Sequence, residues 1–299
     1  MKLAIIHRRD FTNLGDIYSS PDLLLRKYFE INNLSFPPVR TFDIGSLSKS
    51  LKSLKSFNPS HVIIGGGGLL TNSPCWLPAI TSLARDYNSS IFGAGFNNMF
   101  KQSDIEKIAT SGFANIYVRD YIPSFQHIEC PSVIRLLSSI PSCDNNFIGF
   151  GGNRVLLAFH KSRKHIKSNY AAYDFLIKYF SDRIFDFHTN LFYPSAFSAL
   201  VKKILRCGTI ISSSYHVCLW GLLLKKNVFF FSTKNSFKFE SISHLGGKLI
   251  DFNSSDGIHL SSLHASSTFE PIRYSTMDIK TSLNKLVESQ LTALDFILR

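Results

Sequence analysis

Residues 209–231 read TIISSSYHVCLWGLLLKKNVFFF. Thr209–Ile211 is a short apolar strand. A polar turn follows, Ser212-Ser213-Ser214, and then a helical stretch runs from Tyr215 through Leu224. Val228–Phe231 is a second apolar strand. Strand, helix and strand of this length form the unit of a parallel sheet, whose strands are apolar on both faces because helices cover both.

The same unit recurs in both directions along the chain. Further strands are expected at Leu3–Ile6, Val62–Ile64, Ile91–Phe92, Ile116–Val118 and Val155–Phe159. Intervening helices are expected at Pro21–Asn32, Ile105–Gly112, Tyr170–Phe180 and Phe197–Cys207. Alternation of this kind predicts α/β doubly wound sheets. It runs to about residue 125, is interrupted over 126–150, where Pro131, Pro141 and Gly149–Gly152 cluster, and restarts at Val155. We therefore expect two Rossmann-like domains, residues 1–125 and 151–275, joined by a crossing segment. Leu283, Leu286, Val287, Leu291, Leu294 and Ile297 have helical spacing and predict a terminal helix over 276–299. Two such halves face each other across a cleft, and ligands bind beyond the carboxyl ends of their strands.

Composition narrows the class. The chain has 299 residues, 44% of them hydrophobic, enough for two cores. No apolar run has the length of a membrane span. The opening MKLAIIHRRDF lacks the apolar length and cleavage site of a signal peptide and reads as a first strand. Five scattered cysteines fit a reducing compartment and give no metal-like spacing. The net charge of +12 suits an anionic partner, although a lysine-rich composition alone would also produce it. No nucleic-acid signature is present. A cytoplasmic protein follows, and its charge and amphipathic tail allow contact with the inner membrane face.

Five loops lie where this topology places a ligand. The first runs from His7 to Asp16: Gly15 permits a tight turn, and Asn13 or Asp16 can cap the next helix. Asp16 can equally serve as a carboxylate base. The second is Gly65-Gly66-Gly67-Gly68, where Gly66 and Gly67 can admit a ligand to the backbone and their N–H groups can hold an anion. A crowded turn explains the glycines nearly as well. The third carries Arg119 and Asp120, either a surface ion pair or a cation for a carboxylate or phosphate. The fourth, His160-Lys161-Ser162-Arg163-Lys164-His165, is either a solvated basic run or a set of cations for a dianion. The fifth is the turn quoted above. Ser212, Ser213 and Ser214 can cap a helix, whose N-terminus favours anions, and present His216 to the cleft; with Tyr215 they are candidate substrate-binding residues. Lys238 can reach the same side.

In this order, Asn13-x-Gly15-Asp16, Ile63-Ile64 with the four glycines, Gly93-Ala94-Gly95, Val118-Arg119-Asp120, Ser212 to His216 and Lys238-Phe239 resemble the polysaccharide pyruvyl transferase family. The resemblance spans residues 13–239. It implies the fold of the B-type (GT-B) glycosyltransferases, phosphoenolpyruvate as donor substrate, and no metal or other cofactor. It also implies a sugar diol of a cell-surface glycan or a lipid-linked precursor as acceptor, and a cyclic pyruvate ketal as product. His216 is then the donor-side acid or phosphate ligand, and Asp16 the base. Ser214 stands where many relatives carry Arg, so the donor's cation is expected from Arg119 or from His160, Lys161 and Arg163. Two other readings remain: a glycosyltransferase using a nucleotide-activated sugar in the same cleft, and a non-catalytic scaffold for anionic glycans or lipid headgroups.

Overall fold

The computed structural model describes residues 1–8, 14–71, 76–96, 101–140, 154–159, 184–189, 196–230, 237–249 and 276–299. The first half is built on β1 (Leu3–His7), β2 (Val39–Asp43), β3 (His61–Gly65), β4 (Ser89–Ala94), β5 (Asn115–Val118) and β6 (Gln126–His127). They form one parallel sheet in the order β2-β1-β3-β4-β5-β6. Its helices are α1 (Leu14–Tyr18), α2 (Asp22–Ile31), α3 (Leu47–Phe57), α4 (Trp76–Asp86), α5 (Gln102–Ala109) and α6 (Ser132–Ser139). The second half holds β7 (Arg154–Phe159), β8 (Ile184–Thr189), β9 (Thr209–Ser212), β10 (Asn227–Phe230) and β11 (Lys248–Leu249), parallel in the order β11-β10-β9-β7-β8. With it go α7 (Ala196–Arg206), α8 (Tyr215–Leu223) and α9 (Phe237–His244), and α10 (Thr276–Leu298) closes the chain.

Burial explains these elements. All five residues of β1 and of β3 are buried, as a strand covered on both faces requires. Side chains alternate, so Leu3 and Ile5 enter one core while Ala4 and Ile6 enter another. The first core continues through Leu14 and Val133 to Leu156, Trp220 and Leu294, so the two halves share an apolar layer. α8 lies within it: its first seven residues, Tyr215 to Gly221, are all buried, so it is apolar all round and has no solvent face.

Several expectations differ from the structure. Segment 126–150 is more than a crossing segment: β6 extends the first sheet and α6 packs against α2 and α10. β2, β8, β11 and the helices α3, α4 and α6 were not among the expected elements. β2 alternates weakly and keeps only Phe42 buried, as fits an edge strand. Tyr170–Phe180 lies outside the described residues. α10 returns to the first half and packs on α2 and α6. Tyr28 Oη donates to Asp295 Oδ1 at 2.9 Å, and Gln290 Nε2 donates to the carbonyls of Glu129 (2.8 Å) and Cys130 (3.1 Å). Among the described residues, no helix is long and apolar enough to cross a membrane.

Candidate active site

The carboxyl ends of β1, β3, β4, β5 and β9 converge on one place. Arg119 follows β5, and its side chain is 1% exposed. Arg119 Nη1 donates to His216 Nε2 at 3.0 Å. A guanidinium only donates, so Nε2 accepts, and the ring proton of a neutral His216 sits on Nδ1. The guanidinium lies 4.1 Å above the Tyr215 ring and 4.0 Å from Cys130 Sγ. Its Nε and Nη2 have no hydrogen-bond partner among the described residues. Burial opposes the charge, but its surroundings, the Asp120 and Asp16 carboxylates among them, hold the guanidinium pKa above its usual value. Burial also pushes the Tyr215 phenol up, so it meets the cation as a neutral ring.

Two glycines make room for this pair. A Cβ on Gly15 would lie 1.9 Å from His216 Nδ1, and one on Gly95 would lie 2.1 Å from Arg119 Nε. The first turn of α1 thus abuts the Nδ1 edge of the imidazole, across the junction of the halves. Asp16, one residue on, is within electrostatic range of Arg119 and His7. Its Oδ2 lies 3.9 Å from Arg8 Nε. Asp120 accepts from the Phe96 N–H and, at 3.3 Å, from Ser241 Oγ of the second half.

A second tie joins the halves one turn along α8. Trp220 Nε1 donates to Ser132 Oγ at 3.0 Å, and Ser132 Oγ donates to Cys130 Sγ at 3.3 Å. His216 and Trp220 share a helix face at i, i+4, so both reach the residues flanking Arg119. Glu129, beside Cys130, is 8% exposed. Burial raises its pKa to about 7, partly offset by Arg119.

The structure therefore brings together Asp16, Arg119, Tyr215 and His216. The Arg119–Asp120 couple is buried, so the surface-pair reading is corrected: both side chains are 1% exposed. The capping reading of the hydroxyl turn is corrected as well. Ser214 is the residue before α8 but makes no side-chain capping bond. Ser212 Oγ donates to Ala158 O and accepts from Ser214 N–H at 2.9 Å, so it braces the strand end. Tyr215 lies beneath Arg119. Gly66 is also not an anion-binding amide, because its N–H donates to Phe92 O at 3.2 Å. Its φ of +71° and a Cβ position 1.7 Å from Ser19 O show a turn pressed onto the end of α1. Gly67 faces Asp16 Oδ1, 3.1 Å from its Cβ position. Asn13, His160, Lys161 and Arg163 lie outside the described residues, as does the side chain of Lys238. His7, Cys130, Ser132 and Trp220 had no assigned role. Only His7, a polar residue ending an apolar strand, carried a legible signal.

Comparison with known proteins agrees with this geometry. The family model described as "Polysaccharide pyruvyl transferase" matches residues 4–235. The chain belongs to the polysaccharide pyruvyl transferase family. Every residue of the Arg119–His216 site lies inside the matched span. No curated protein matches the chain. Among solved structures, UDP-GlcNAc 2-epimerase from Neisseria meningitidis bound to UDP-GlcNAc is similar at 12% identity and a TM-score of 0.64, covering 98% of this chain and 100% of that one. The S. aureus MnaA–UDP structure gives 10% identity and a TM-score of 0.57, covering 95% and 91%. A putative UDP-N-acetylglucosamine 2-epimerase from Listeria monocytogenes gives 12% and 0.54, covering 96% and 90%. These likenesses establish the fold: this pyruvyl transferase family member has two Rossmann-like halves in the GT-B arrangement.

Proposed function

We propose that this enzyme transfers pyruvate from phosphoenolpyruvate to two hydroxyls of a sugar in a cell-surface glycan or its lipid-linked precursor, forming a cyclic ketal. The observation that carries the reading is the buried Arg119, with two unpartnered donors, held against His216 at the junction of the halves. Phosphoenolpyruvate has a carboxylate and a phosphate on adjacent positions. A forked cation in a dry site binds such oxygens and stabilises the charge that develops as phosphate leaves. His216 Nδ1–H, facing α1, is the acid for the donor methylene; protonation there makes C2 electrophilic. Asp16, on α1 itself, takes the proton of the attacking hydroxyl. No cofactor enters this sequence. The setting is the cytoplasm, where the donor is found, with the acceptor presented at the inner membrane face.

A second reading has one observation in its favour: the N. meningitidis neighbour holds UDP-GlcNAc. In that case Arg119 and His216 grip a nucleotide diphosphate. The test is release of phosphate from phosphoenolpyruvate with candidate acceptors, read with the mass gain of the ketal, and thermal shifts with phosphoenolpyruvate and UDP-sugars side by side. His216→Ala is expected to abolish ketal formation; a variant with full transfer sinks the assignment. Stabilisation by a UDP-sugar and not by phosphoenolpyruvate selects the second reading.

A further inference from the structure

Alternation along β1 puts His7 in line with Leu3 and Ile5, on the face that enters the shared core. Packing alone would place an apolar residue there. The imidazole is instead 2% exposed, and its Nδ1 lies 2.8 Å from the carbonyl of Gly65 at the end of β3. Nδ1 must carry the proton for that bond, which leaves Nε2 as a bare lone pair. Nε2 is buried and makes no well-aligned hydrogen bond among the described residues, although the backbone of Asp16 lies close enough to favour a charged ring. A buried acceptor without a well-aligned partner is costly to keep. Asp16 lies within electrostatic range of the ring, and burial lowers the His7 pKa, so the lone pair is available near neutrality.

The unpartnered atoms at the two sides of the site therefore differ in kind. On the Arg119 side they are cationic donors; on the β1 side there is a neutral acceptor beside a carboxylate. An anion suits the first and a pair of hydroxyls the second. Ketal formation requires two hydroxyls to lose protons, and Asp16 accounts for one.

We propose that His7 is a further catalytic residue, its Nε2 receiving the proton of the second acceptor hydroxyl as the ketal ring closes. This rests on the pyruvyl transfer proposed above. In the first step the donor methylene gains a proton, the first hydroxyl oxygen bonds to C2, and its proton passes to Asp16. In the second, the C2–O bond to phosphate breaks and phosphate leaves with the bonding pair. The second hydroxyl oxygen bonds to C2 and its proton passes to Nε2. In sum, two hydroxyl protons are released; one is balanced by the new methyl C–H, and the other leaves on hydrogen phosphate.

His7→Asn tests this directly. The asparagine amide N–H reproduces the Nδ1 tie to Gly65 but supplies no base. In D2O, with phosphoenolpyruvate and a diol acceptor that the unaltered enzyme converts to ketal, the variant is expected to form ketal about 100-fold more slowly, the scale of a lost general base. It still adds the first hydroxyl reversibly, so deuterium washes into the methylene of recovered phosphoenolpyruvate. His7→Gln, with a non-basic amide near the Nε2 position, gives the same split. Normal ketal formation by His7→Asn overturns the role. So does an equal loss of ketal and of deuterium washout in both variants, because His7 is then only a brace. If the unaltered enzyme makes no ketal, the pyruvyl transfer reading fails, and this role fails with it.

Discussion

Gly15→Ala places two effects in opposition. Gly15 lies in the first turn of the short α1, where alanine gains at most the roughly 1 kcal/mol it is worth over glycine in a helix interior. On propensity alone the variant is more stable. Against this, the new Cβ would sit 1.9, 2.4 and 2.7 Å from Nδ1, Cγ and Cε1 of His216. Carbon needs about 3.5 Å, so the ring must retreat by roughly 1.5 Å. The 3.0 Å bond from Arg119 then stretches out of range. Losing a charged hydrogen bond costs about 1.5–3 kcal/mol and overpacking about 1–3 kcal/mol. The net is a destabilisation of roughly 2–5 kcal/mol, with a melting-temperature fall of several degrees. Displacement of the catalytic ring by an ångström or more is expected to cut turnover about 100-fold. Calorimetry together with phosphate release from phosphoenolpyruvate reads both. A Gly15→Ala protein that melts higher and turns over normally refutes the packing of α1 against His216, and with it the placement of the acid.

Two further outcomes follow from the same site. Arg119→Met keeps the buried stem, removes a charge that has two unpartnered donors and loses the bond to His216, so the fold weakens by about 1.5–3 kcal/mol but persists. Phosphoenolpyruvate binding by titration calorimetry falls at least 100-fold, from two lost charged hydrogen bonds of about 1.5 kcal/mol or more each; retained affinity shows that the donor binds elsewhere. Glu129, with its pKa raised from 4.5 to about 7, binds its proton more tightly folded than unfolded. Its contribution is fully present below about pH 4.5 and is lost as pH rises through 7, up to about 3 kcal/mol. Glu129→Gln removes this slope, so its melting temperature exceeds that of the unaltered protein at pH 8 and converges with it at pH 4. Parallel pH curves refute the burial of that carboxyl.

The parallel strands were legible because burial on both faces leaves continuous apolar runs, as at Leu3–Ile6 and Val62–Ile64. Edge strands were not: β2 and β11 bury too little to produce such a run. The turn at Ser212 to His216 pointed to a candidate site, and His216 meets the buried Arg119 there. Ser212 looked like a ligand group because a hydroxyl that binds a substrate and one that braces Ala158 O are the same letter. Gly66 misled in the same way, since a turn pressed on Ser19 O and an amide cradle both require glycine. Trp220 and Ser132 were silent, because their hydrogen bond joins positions 88 residues apart.

Local periodicity is a property of neighbours along the chain, so the sequence by itself determined the α/β class, the two halves and the strand ends where chemistry belongs. Which of those ends meet is decided by packing between distant segments. Only the tertiary structure shows that α1 of the first half abuts His216 of the second at Gly15. It alone shows Arg119 to be buried with two donors unspent, and the imidazole of His7 to be buried within reach of Asp16. Burial and partnering depend on every residue that surrounds a side chain, and most of those are far away in sequence.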